Sequence, residues 1–123
     1  DYVVKGTNNF QLFKNNDIFS DAYFSIKVIH TPGHTPGSVC FFVKELGLLF
    51  TGDTLYPGPL YAQLKESNID DFYQSIKLLE DLIKKVKLIF PGHNSTSEKS
   101  NLIELAMQSI DHNGEANPIF FLK

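Results

Sequence analysis

The chain contains no arginine; all 11 of its basic residues are lysine, and the net charge is −3. A nucleic-acid-binding surface is ordinarily basic and rich in arginine, so that function is disfavoured. There is one cysteine, Cys40, which excludes an internal disulfide and fits a reducing compartment such as the cytoplasm. Long apolar runs are missing too. The stretch Val39-Cys40-Phe41-Phe42-Val43 falls far short of the roughly 20 residues that span a bilayer, so no membrane association is expected. No internal repeat, low-complexity block or charged-then-apolar leader is visible within these residues, and the first residues are Asp-Tyr-Val-Val rather than Met, as expected where an upstream segment has been left out.

What remains is a globular composition. Hydrophobic residues make up 42% and charged residues 20% of 123 positions, which suits one domain or a large part of one. Paired asparagines at 8–9 and 15–16 mark polar turns, with a short strand expected around Phe10, Leu12 and Phe13. Ala22, Phe24, Ile26 and Val28 alternate with Tyr23, Ser25 and Lys27, the pattern of a half-buried strand ending near His30. Two prolines and two glycines then make Thr31–Ser38 a stiff loop. Val39–Val43 and Leu48–Thr51 read as a hairpin joined by Lys44-Glu45-Leu46-Gly47.

The stretch Tyr56–Leu64 reads as a loop. After it, Ile69, Phe72, Ile76, Leu79, Ile83 and Val86 recur at helical spacing, with Asn68 as N-cap, Asp70 and Asp71 in the first turn and Lys84 and Lys85 in the last. A short strand Leu88–Phe90 follows. A second helix is expected from about Ser97 to Ile110, stopped by Asn113-Gly114, and a last strand over Ile119–Leu122. Strands first, then helix and strand alternating, indicate an α/β or α+β class.

Three ionisable residues share one setting. His34, Asp53 and His93 each lie just beyond the C-terminal end of an apolar strand, and each follows a glycine: Gly33, Gly52 and Gly92. Strand-end loops are where α/β folds gather functional side chains, and a preceding glycine permits a sharp turn. Histidine and aspartate suit zinc or a similar ion, and three protein ligands with an open position is the stoichiometry of a catalytic metal. Any one of these residues alone would ordinarily be a turn residue. The coincidence of three carries the reading. His30 reads as a strand-end residue, His112 as a helix-terminal cation and Cys40 as a small buried hydrophobe. Tyr56 and Tyr61 flank Pro57-Gly58-Pro59 close after Asp53 and are candidates to line a substrate pocket; Lys65 and Asn94 are weaker ones.

The strings Thr31-Pro-Gly-His-Thr-Pro-Gly-Ser38, Phe50-Thr-Gly-Asp-Thr-Leu-Tyr56 and Pro91-Gly-His-Asn94 resemble, in order and spacing, the later motifs of the metallo-β-lactamase superfamily. The flavour is closest to its glyoxalase II-like and thioester-hydrolysing branches. The resemblance covers residues from about Phe10 to Ile110. It implies half of an αββα sandwich: a mixed sheet with helices on one face and a dinuclear metal site at the sheet edge. On that resemblance His34 is the third histidine of the first metal, Asp53 the bridging, catalytic carboxylate and His93 the last histidine of the second metal. Asp rather than Cys at position 53 argues against the commonest lactamase class.

The family's His-x-His-x-Asp-His string has no counterpart upstream of His34, where only His30 occurs. Residues 1–123 are therefore expected to be the C-terminal part of such a domain, inactive alone, whose exposed apolar sheet face pairs with the missing N-terminal half or with a second copy. The implied activity of the complete domain is hydrolysis of a thioester, ester or lactone through a metal-bound hydroxide, as in hydroxyacylglutathione hydrolases. Two ions are implied, zinc in first place, with iron or manganese compatible. The expected partner is a small acyl substrate, with no nucleic acid. The alternatives are a non-catalytic binding module of this fold and a nuclease branch.

Overall fold

A computed structural model describes residues 12–57, 60–94, 98–99 and 121–122. Six strands form one sheet in the order β1 (Ile18–Ser20), β2 (Ser25–His30), β3 (Val39–Val43), β4 (Leu48–Gly52), β6 (Leu88–Pro91) and β7 (Glu98–Lys99). The first four run antiparallel in sequence order. β4 and β6 pair in parallel, joined by helix α1 (Ile69–Glu80), because parallel neighbours need a crossover. A separate two-stranded sheet pairs β5 (Leu60–Tyr61) with β8 (Phe121–Leu122). This is the mixed sheet with helix expected of a partial metallo-β-lactamase fold.

The two faces of the large sheet differ. Ile29, Cys40, Phe42, Leu49 and Ile89 pack into one core with Phe72, Ile76 and Leu79 of α1. Each large side chain fully buried there is worth about 1.5–3 kcal/mol. The stripe read from the sequence is thus the buried face of α1. Asn68 caps the helix, its side chain accepting the Asp71 amide at 2.9 Å. The opposite face carries Phe19 paired with Ile26, and Phe41, Phe50 and Phe90 paired across β3, β4 and β6. Phe50 is 41% and Phe19 39% exposed, and Phe13 leans in to close a depression of about 530 Å³ lined by Phe13, Phe19, Ile26, Phe41, Val43 and Phe50. Phe50 and Phe90 stack at 5.1 Å.

Several boundaries differ from the sequence expectation. Leu12 and Phe13 are not in a strand, and residues 8–10 lie outside the described part. The alternation at 22–24 belongs to a turn: the Asp21 carboxylate accepts the Tyr23 and Phe24 amides at 2.7 and 2.8 Å. Those groups are thereby withdrawn from the ladder, and β2 starts at Ser25. The helix stops at Glu80, not in the Lys84-Lys85 turn. Beyond it the bonds tighten to the i−3 pattern, Leu82 to Leu79 and Lys85 to Leu82, giving a 3₁₀ turn at Ile83–Lys85. The Gly47 carbonyl then takes both the Lys87 and Leu88 amides and steers the chain into β6.

Leu60–Tyr61, expected as loop, forms β5 because Phe121–Leu122 supplies a partner. Glu98–Lys99, expected to open a helix, instead pairs with Leu88 and Ile89 at the sheet edge. The rest of that helix, His112 and Asn113-Gly114 lie outside the described residues, as do Ile119 and Phe120. Among the described residues no helix is long and apolar enough to cross a membrane.

Candidate metal centre

His34, Asp53 and His93 meet at one end of the large sheet, beyond the ends of β2, β4 and β6 respectively. Asp53 stands between the two histidines. Its Oδ1 lies 2.7 Å from His93 Nε2 and its Oδ2 3.4 Å from His34 Nε2. His34 is the most enclosed of the three side chains at 14% exposure, against 45% for Asp53 and 58% for His93.

Each position is built by local backbone chemistry. The loop carrying His34 is tied inside itself by the Thr35 and Ser38 hydroxyls, 2.8 Å apart. It is also tied to the helix: the Asn68 amide donates to Gly33 O at 2.8 Å, Ser67 Oγ to His34 O at 2.7 Å and Ser75 Oγ to Pro32 O at 2.6 Å. Gly33, at φ 142°, lies so close that a Cβ there would sit 2.5 Å from Phe72 Cα. Asp53 follows a register shift between β4 and β6 and a left-handed Gly52 at φ 49°. Such a bulge re-aims the next side chain. Gly92 serves a different need from the sharp turn expected of it: its amide donates to Gly52 O at 2.9 Å, an approach that leaves no room for a Cβ.

The second contact layer comes from the segment after Asp53. His34 Nδ1 lies 2.8 Å from the Tyr61 carbonyl oxygen, a contact it can make only as the N–H donor. That selects the tautomer whose Nε2 carries a lone pair. The Tyr61 amide donates to Tyr56 Oη at 2.7 Å. The Tyr56 ring meets His93 edge to face at 5.3 Å, while Tyr61 lies 6.0 Å from the His34 ring. Burial raises the Tyr56 pKa, with the Asp53 charge adding to the effect and the Tyr61 amide opposing it. Asn94 Nδ2 donates to Pro57 O at 2.7 Å, joining the third loop to the second. These ties run largely through main-chain atoms, whose partners leave no signature in residue type. His30 is occupied elsewhere, its Nε2 being 2.8 Å from Pro36 O. Lys65 is exposed in a turn. Cys40 is buried, and burial pushes its thiol up to about 11.

The donor set fits part of a two-ion site. Each histidine turns Nε2 towards its own oxygen of Asp53. Among the described residues no group of three or more His, Cys, Asp and Glu side chains is arranged to hold one ion. One nitrogen and one oxygen per ion is fewer than the three protein ligands a catalytic zinc takes.

Comparison with known proteins agrees with this architecture. Residues 12–93 match the model of the metallo-beta-lactamase superfamily. The acyl-coenzyme A thioesterase MBLAC2 of Gallus gallus is 32% identical over 106 residues, 85% of this chain and 38% of that protein. A hydroxyacylglutathione hydrolase of Pelagibacter ubique is 34% identical over 89 residues, 72% of this chain and 36% of that protein. The crystal structure of a metallo-beta-lactamase from Staphylococcus aureus superposes with a TM-score of 0.71 at 24% identity, covering 87% of this chain and 37% of the other. The chain thus spans little more than a third of these curated relatives. With a family match across residues 12–93 and this fold, the chain belongs to the metallo-β-lactamase superfamily.

Proposed function

We propose that this chain supplies the C-terminal ligands, His34, Asp53 and His93, of a two-ion hydrolytic site acting on acyl thioesters. The observation that carries the proposal is the placement of Asp53, with one carboxylate oxygen facing each histidine Nε2. The thioester preference is supported by the two relatives named above, an acyl-coenzyme A thioesterase and a hydroxyacylglutathione hydrolase. When bound, zinc supplies an activated water near neutral pH and a Lewis acid for the developing oxyanion; iron or manganese would suit the same donors.

The chain's own residues hold and orient. His34 is set as the Nδ1–H tautomer by the Tyr61 carbonyl, leaving the Nε2 lone pair for an ion. Asp53, aimed by the register shift at Gly52, is the residue that would serve both ions. Tyr61, half-buried beside His34, is the tyrosine placed to wall an acyl substrate. The Tyr56 hydroxyl is already engaged by the Tyr61 amide. The remaining ligands come from the N-terminal half of the domain, which covers the apolar face around Phe41 and Phe50. The net charge of −3 and the absence of arginine speak against a nuclease role.

The test is thiol release from acyl-coenzyme A and acylglutathione by the full-length protein. Turnover that is lost on chelation, regained with zinc and absent in Asp53→Asn supports the proposal. A metal-loaded protein that cleaves neither thioester overturns the substrate class.

A further inference from the structure

We propose that Tyr56 is a positioning residue for both histidines, its hydroxyl orienting His34 through the Tyr61 backbone and its ring bearing on His93. The inference rests on the metal-site reading above and gives Tyr56 a part beyond lining a pocket. The chain of contacts is continuous. Tyr56 Oη accepts the Tyr61 amide at 2.7 Å. The carbonyl of that same residue accepts His34 Nδ1–H at 2.8 Å. The Tyr56 ring approaches His93 at 5.3 Å with an interplanar angle of 74°.

Tyr56 is only 7% exposed. By accepting the Tyr61 amide, the Tyr56 hydroxyl restrains the residue whose carbonyl receives His34 Nδ1–H. β5 pairing with β8 holds Tyr61 from the far side, and Asn94 Nδ2 holds Pro57 O. The Tyr61 carbonyl therefore has little freedom, and neither has the imidazole that donates to it. Such outer hydrogen bonds set the tautomer and ring orientation of metal-ligating histidines, and losing one typically costs 10–100-fold in metal affinity. One residue thereby couples the orientation of two ligands that lie 59 positions apart in sequence.

The test compares Tyr56→Phe, Tyr56→Leu and Tyr61→Phe in the full-length protein. The first readout is the His34 ring tautomer, followed by nitrogen-15 NMR on metal-free protein at about pH 8, above the ordinary imidazole pKa. The second is zinc affinity by competition with a chelator. Tyr56→Phe is expected to mix the His34 tautomers and weaken zinc binding by about 10-fold or more. Tyr56→Leu is expected to perturb the His93 ring resonances as well. Tyr61→Phe keeps the backbone contacts and is expected to leave the His34 tautomer as in the wild type.

A Tyr56→Phe protein whose His34 resonances and zinc affinity match the wild type overturns the proposal. So does a Tyr61→Phe protein as disturbed at His34 as Tyr56→Phe. Should Tyr56→Phe fail to fold, the wild type decides: slow solvent exchange of the Tyr61 amide and the His34 Nδ1 proton supports the relay, and fast exchange of either one refutes it. The tautomer is read without metal or substrate. Failure of thioester hydrolysis would therefore leave this result standing, and the reverse also holds.

Discussion

The Gly92 amide donates to the Gly52 carbonyl at 2.9 Å, pinning the loop that carries His93 to the loop that carries Asp53. A Cβ added to Gly92 would sit 2.9 Å from Gly52 O and 3.1 Å from Asp53 Oδ1. Both neighbours belong to the site, so relief of the clash must move it. Gly92→Ala is expected to weaken metal binding by at least about 10-fold and to destabilise by about 1–3 kcal/mol, the usual cost of overpacking. Isothermal titration and urea unfolding check the two parts. Wild-type affinity in the variant would show that the loops can separate without consequence.

Gly33 presses on the start of α1. Its φ of 142° disfavours any side chain, and a Cβ would fall 2.5 Å from the Phe72 backbone. Because Phe72 is fully buried, the helix cannot yield without disturbing the core. Gly33→Ala is expected to cost at least about 2 kcal/mol of stability, since strained φ and steric overlap act together. A loss below about 0.5 kcal/mol in chemical denaturation, within the range of a neutral surface change, would contradict the packing described.

Cys40 gives the fold a pH dependence of definite sign. Burial raises its thiol to about 11 from 9.0, so between those values the folded chain holds a proton that the unfolded chain has released. Stability from this group is complete below about pH 9 and falls as pH rises towards 11, by about 3 kcal/mol in total. Tyr56 is raised too and acts in the same direction, so the comparison must be with Cys40→Ala, which removes the thiol contribution alone. Parallel stability–pH curves for wild type and variant would refute this. Below pH 9 the thiol should also resist alkylation until the protein unfolds.

How much of this was legible in the sequence follows from the range of the interactions involved. The stripe Phe72, Ile76, Leu79, the Asn68 cap and the Val39–Val43 hairpin are set by neighbours a few residues apart, and periodicity exposes them. The strand-end positions of His34, Asp53 and His93 were readable from the glycines before them. The reason for those glycines was only partly so: Gly33 and Gly52 have positive φ, whereas Gly92 is needed for a close approach between distant loops. The β5–β8 pair and the Glu98–Lys99 strand depend on partners far along the chain and are two residues long, too short for a pattern. The Tyr61 carbonyl on His34 is a backbone contact and bears no mark in residue identity.

The apolar face predicts self-association of residues 1–123 on their own. Phe19, Ile26 and Phe50 are each about two-fifths exposed on one face of the sheet, a patch of the kind that monomeric proteins rarely leave open. Light scattering should show oligomers that dissociate on dilution, and Phe50→Asp should shift the equilibrium towards monomer. A folded, soluble monomer at high concentration would count against an interface on this face.

The bridging role proposed for Asp53 is tested most directly by metal stoichiometry in the full-length protein, counted by elemental analysis after dialysis. Two ions per wild-type chain are expected, with a deficit at one position in His34→Ala and in His93→Ala, and loss at both in Asp53→Ala. Three variants that retain the full complement, or an Asp53→Ala protein no more depleted than either histidine variant, would contradict it.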